Sequence, residues 1–165
     1  MKRRGNEDET RPSDLPPAEE DAGTGSRRAA NREDDATTAI PTGRDPVLVA
    51  VVANGGALAS RLAAALGADR VSPVTVRSIE ALASLDKEPG VVVVDGTDFA
   101  AIEAPDLAEA LGRLSPTTAR VVWASDLPYG RRIAHALAQA RMPHASIDRR
   151  EGVEPLLDVV RSRKV

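Results

Sequence analysis

Between residues 47 and 163, short apolar runs alternate five times with segments of helical periodicity. This alternation constrains the chain more than any other feature. Parallel strands need long crossovers, the crossovers are usually helices, and the product is a parallel sheet with helices on its faces. The runs occupy residues 47–53, 73–77, 91–94, 120–124 and, short and polar, 144–147. The first and third, VLVAVVA and VVVV, are continuous apolar stretches, as expected of strands buried on both faces. Between them apolar residues recur at helical spacing: Leu58, Leu62, Ala65 and Leu66; Ile79, Leu82 and Leu85; Leu107, Ala108, Leu111 and Leu114; Ile133, Ala136, Leu137 and Ala140; Val153, Leu156, Leu157 and Val160. Ser78 is placed to cap the second helix, and Gly67 to end the first. The expected fold is α/β, a doubly wound five-stranded parallel (βα)5 sheet with the first strand central.

Residues 1–45 differ sharply from the domain expected over 46–165. Large apolar residues are nearly absent there, while prolines and mixed charges are frequent. Such a stretch buries too little apolar surface to offset its ordering entropy, so a disordered tail is expected. Its basic clusters, Lys2-Arg3-Arg4 and Arg27-Arg28, are balanced by neighbouring acids. The whole chain of 165 residues carries a net charge of -3, giving no overall basic footprint for nucleic acid. It has no cysteine, which excludes disulfides, thiolate metal sites and Cys nucleophiles. The start, MKRRGNEDET, leads into acidic residues rather than an apolar stretch, unlike a secretory signal. No apolar run is long enough to span a bilayer, so a cytoplasmic location without a membrane partner is expected. The richness in Ala and Arg resembles the coding bias of a GC-rich bacterial genome.

In open α/β sheets ligands gather at the carboxyl ends of the strands. The candidate residues are therefore Ala53 and Asn54 after the first strand, Asp95 after the third, Ser125 after the fourth, and Asp148, Arg149 and Arg150 after the fifth.

In element order and length, residues 47–163 resemble the receiver domain of bacterial two-component response regulators. Asp95 in VVVVDGTD matches the family's phosphoryl acceptor, and Ser125 in VVWASD its phosphate-contacting hydroxyl. Two features depart from the pattern. VVANGG offers Ala53 and Asn54 where the family has a pair of magnesium-binding acids, and SIDRREG offers Arg149 near the family's lysine. Magnesium favours carboxylate oxygens, and phosphoryl transfer relies on the metal to neutralise charge. The resemblance therefore implies a degenerate receiver, a signalling module that binds protein partners without catalysis, metal or cofactor. In the family the fourth helix, fifth strand and fifth helix form the partner surface. Here that region carries Arg131, Arg132, Arg141, Arg149, Arg150, Arg161, Arg163 and Lys164, which suits an acidic partner. No output domain follows in the sequence, so signalling is expected to pass through this surface or the tail.

Other readings stay open. Asp95 can be phosphorylated in an intact receiver cycle, with Asp98, Asp126 or Asp148 replacing the missing acids. It can equally cap a loop or pair with Arg149, and Ser125 can accept from the following turn. Asn54-Gly55-Gly56 sits where a nucleotide-binding loop would, without the full G-x-G-x-x-G pattern. His135 and His144 match no zinc spacing, and no G-x-S-x-G motif exists. A homo-oligomer is also compatible with the sequence.

Overall fold

The computed structural model describes residues 45–67, 70–98 and 102–163. The tail expected over 1–45 lies outside the described residues except for Asp45, as does Lys164. The elements run β1 (Val47–Val52), α1 (Ala57–Leu66), β2 (Val71–Val76), α2 (Ile79–Ala83), β3 (Val91–Asp95), α3 (Ala104–Gly112), β4 (Ala119–Trp123), α4 (Pro128–Gln139), β5 (Ala145–Ile147) and α5 (Glu154–Ser162), with one 3-10 turn at Arg149–Glu151. All neighbouring strands are parallel, in the order β2-β1-β3-β4-β5. This is the doubly wound, flavodoxin-like α/β arrangement, with β1 central.

Period-two alternation assigns the strand residues to two cores. Val49, Val51, Val91, Val93 and Val121 pack with Leu58 and Leu62 of α1 and Leu156, Leu157 and Val160 of α5. Ala50, Val52, Val92, Val94 and Val122 pack on the other face with Leu82 of α2, Leu107 and Leu111 of α3, and Ile133 and Leu137 of α4. Each buried Val or Leu contributes about 1.5–3 kcal/mol of transfer free energy. The chain leaves β1 towards one face and β3 towards the other, so the switch point of the sheet lies between their carboxyl ends.

Several boundaries differ from the sequence pattern, each for a local reason. β2 begins at Val71, two residues before Pro73, and stops before Arg77. The bonds Val47 N–H to Arg70 O and Ala53 N–H to Val76 O show that even-numbered residues of β2 point their backbone groups at β1. Pro73 therefore faces the open edge, where its missing N–H costs no ladder bond. Ser78 caps α2 as expected, accepting from the Ala81 amide at 3.1 Å. That helix nonetheless stops before Leu85, and Ser84 Oγ donates back to the Glu80 carbonyl at 2.7 Å. α3 stops before Leu114. There Arg120, a buried charge in β4, reaches under its end. The guanidinium donates to the carbonyls of Leu111, Leu114, Ser115 and Thr118 at distances from 2.9 to 3.3 Å. The negative end of the helix dipole thus compensates a cation.

α4 ends in a Schellman motif, the Met142 amide bonding Leu137 O at 2.9 Å and the Arg141 amide bonding Ala138 O at 3.0 Å. Arg141 occupies its left-handed position with φ 53°, where glycine is usual.

Candidate functional site

The first strand end divides between core and crevice. Ala53 extends the β1 ladder through its amide to Val76 O at 3.1 Å, and its methyl is fully buried in the core beneath α1 and α5. Asn54 is exposed. Gly55 donates its N–H to Asp98 Oδ2 at 2.6 Å. This short charge-assisted bond joins the loop after β1 to the loop after β3, across the switch point of the sheet.

Asp95 closes β3 and is 4% exposed. Its Oδ1 accepts from the Thr97 amide at 2.9 Å and from the Thr97 hydroxyl at 2.6 Å. Of the roles open to it in the sequence, the carboxylate takes that of a loop cap, holding the turn after β3. Among the described residues no ion pair joins it to Arg149.

Ser125 lies two residues past the end of β4, in the turn that follows it. Its amide bonds Ile147 O at 3.0 Å, and its hydroxyl donates to Asp148 Oδ1 at 3.1 Å. Asp126 Oδ1 accepts from the Arg149 amide at 2.8 Å, and Arg131 donates to the Asp126 carbonyl at 3.0 Å. The Arg149 amide, with the Arg149 and Arg150 charges behind it, holds the Asp126 carboxyl below its ordinary value. The β4–α4 turn is thereby stitched to both α4 and the start of the last crossover.

The same turn is pressed against β3. Ala124 is fully buried with φ 55°, a left-handed conformation uncommon for a residue with a side chain. Gly96 donates to Trp123 O at 2.8 Å, and a Cβ on Gly96 would lie 2.6 Å from the carbonyl oxygens of both Trp123 and Ala124. Gly130, in the first turn of α4, crowds the same Ala124 carbonyl, and a Cβ on Gly96 would lie 3.0 Å from the Gly130 Cα. Backbone strain of this kind persists only where surrounding structure over-determines it.

The arginines expected to form one face are divided by the fold. Arg131, Arg149 and Arg150 gather around Asp126 at the carboxyl ends of β4 and β5. Arg132 lies over the Tyr129 ring, 6.0 Å from its centroid, towards α3. Arg141 follows the far end of the twelve-residue α4, about 18 Å along the helix axis. Tyr129 is buried, its hydroxyl donating to Ile102 O at 3.4 Å, and burial raises its pKa.

Sequence reasoning named Asp98, Asp126 and Asp148 as alternative metal ligands. Each instead accepts a hydrogen bond from a neighbouring loop. Among the described residues, no three His, Asp or Glu side chains are grouped to hold a metal ion. The partnering roles of Thr97 and the close approach of Gly96 and Gly130 were not anticipated. The sequence signal for the second was a glycine in the first turn of a helix, in PYGRR. Among the described residues no helix is long and apolar enough to cross a membrane. In comparisons with protein-family models, curated proteins and solved structures, the chain shows no match.

Proposed function

We propose that this chain is a receiver-like signalling module that acts by binding another protein, without a magnesium-dependent phosphoryl cycle at Asp95. One observation carries the reading: the two side chains a phosphoryl group would need are engaged with other partners. Asp95 Oδ1 is taken by Thr97, and the Ser125 hydroxyl by Asp148. Ala53 adds a buried methyl where a metal-binding acid would be needed. On this reading the module works in the cytoplasm, without catalysis or cofactor.

The partner surface is the cluster of Arg131, Arg149 and Arg150, all exposed. The acids beside them, Asp126 and Glu151, accept from the Arg149 and Asp148 amides, while the three arginines remain exposed. An acidic protein surface is the complementary partner, and its association would be salt-dependent.

The test has two arms. Incubation with a small phosphoryl donor and magnesium, followed by intact mass, is expected to show no adduct. An adduct that disappears in Asp95→Asn would restore an ordinary receiver cycle and overturn the reading. Pull-down at low and high salt addresses the partner face. Charge reversal at Arg131 and Arg149 should abolish the salt-sensitive partners, and unchanged capture would show that the surface lies elsewhere.

A further inference from the structure

At the opposite end of the sheet, where β4 and β5 begin, a cavity of about 390 Å³ opens beside the end of α5. We propose that it is a binding site for a small phosphate-type oxyanion, independent of the receiver-like end of the sheet. Arg120, His144 and Arg163 line it, together with the hydroxyl residues Thr118 and Ser162, and no carboxylate does.

The two arginines converge on one segment. Arg120 bonds the carbonyls of Ser115 and Thr118, and Arg163 Nη1 bonds Thr117 O at 3.0 Å. Both guanidinium groups are therefore anchored to the α3–β4 connection that forms the cavity wall. The Arg120 cation is compensated by the end of α3 and shapes the cavity wall, so the charge that faces an anion is that of Arg163, whose one carbonyl partner orients it without neutralising it. Glu88, a carboxylate tied to the segment, accepts from the Ser115 amide, and the Thr118 hydroxyl donates to Pro89 O at 3.0 Å with Glu88 Oε1 at 3.4 Å. Among the described residues only Nη1 of Arg163 is engaged, which leaves the rest of its planar donor fork for a bidentate oxyanion. His144 Nδ1 faces Met142 O at 2.9 Å, a contact that requires the proton on Nδ1. Nε2 then accepts from a protonated phosphate oxygen. The cavity exceeds the needs of a bare anion and falls in the size range of small-molecule sites.

The experiment is an amide-resolved NMR titration of the full chain at constant ionic strength, with inorganic phosphate, a mononucleotide monophosphate and chloride as probes. Saturable shifts centred on Thr118, His144, Ser162 and Arg163 are expected with phosphate and absent with chloride. Arg163→Ala and His144→Gln each weaken binding by roughly tenfold or more, the cost of losing a charge-assisted contact. Both positions lie away from the main cores, and circular dichroism verifies that the variants fold. Tighter binding of the mononucleotide identifies a phosphorylated metabolite as the ligand, while equal binding identifies the free anion. Shifts that do not saturate, that centre elsewhere or that survive in both variants overturn the proposal. None of these outcomes depends on the state of Asp95, so the proposed receiver-like function stands or falls separately.

Discussion

The carbonyl oxygen of Ala124 lies so close to Gly130 that a Cβ added to the glycine would sit 2.4 Å away from it. Its carbonyl carbon and the Ser125 Cα would each be 3.0 Å away. None of these atoms belongs to a flexible side chain, so none can move aside without deforming the turn after β4.

Gly130→Ala should therefore destabilise the domain although it improves helix propensity. The propensity gain is at most about 1 kcal/mol. Overpacking against backbone costs about 1–3 kcal/mol or more. A net loss of roughly 1–2 kcal/mol in urea melts is expected, and Gly96→Ala, outside any helix, should lose at least as much. A neutral or stabilised Gly130→Ala would mean that the turn is not closely packed.

The opposite sign is expected at Arg141. Its left-handed φ is strained for any residue with a side chain, and the Schellman bonds favour glycine at that position. Arg141→Gly should stabilise the domain by about 0.5–1 kcal/mol. A loss of stability would show that the arginine makes contacts outweighing its strain.

Arg120 should be among the least replaceable residues. In Arg120→Met the carbonyls at the end of α3 lose their donors inside the protein. About 2–4 kcal/mol of stability should be lost. Arg120→Lys should recover little, because one ammonium cannot span the carbonyls a planar fork reaches. Denaturant midpoints of the two variants would test this, and full rescue by lysine would refute the geometric account.

Pro73 is expected to matter for association rather than folding. Val71, the outward-facing neighbour before it, already bonds Gly67 O at 3.3 Å, so the edge of β2 presents few N–H groups. Pro73→Thr adds one. Monomer stability should change by less than about 1 kcal/mol, while strand-edge aggregation accelerates. Light scattering at high concentration and thioflavin binding would show it. An unchanged aggregation rate would place the protection elsewhere.

Asp126 gives a pH dependence of definite sign. Its folded pKa is depressed, so its contribution to stability is present above the unfolded carboxylate value, about 3.9, and is lost as pH falls through the folded value. The stability gap between the native chain and Asp126→Asn should be constant above roughly pH 5 and close in acid. A gap that widened in acid would contradict the bond to the Arg149 amide.

The architecture was legible because its signal is periodic. Val91–Asp95 is buried on both faces, and a continuous run of valines says so directly. β2 was harder to delimit, since Pro73 reads as a strand boundary until its position on the open edge is known. The strand ends were also legible: Asp95 and Ser125 stand where the alternation put them. Their partners were not. Which oxygen Thr97 meets, and that Ser125 turns to Asp148, depends on loop dihedrals that leave no period in the sequence. Arg120 did leave a mark, a charge inside ARVVW, but a strand pattern does not reveal which carbonyls a buried guanidinium will find. At Arg141 the usual preference for glycine pointed away from the cap that forms.

The bond between Gly55 and Asp98 sets a threshold for any visitor to the crevice between β1 and β3. Other doubly wound sheets leave amides there for a guest anion. Here the amide already holds a carboxylate of the same chain, 43 residues away in sequence but positioned by the fold, so its effective concentration far exceeds that of a diffusing ligand. A diffusible anion at micromolar levels would lose that competition almost always. The protein carries its own competitive inhibitor at the mouth of the sheet, and evolution of a ligand site there would have to begin by removing Asp98.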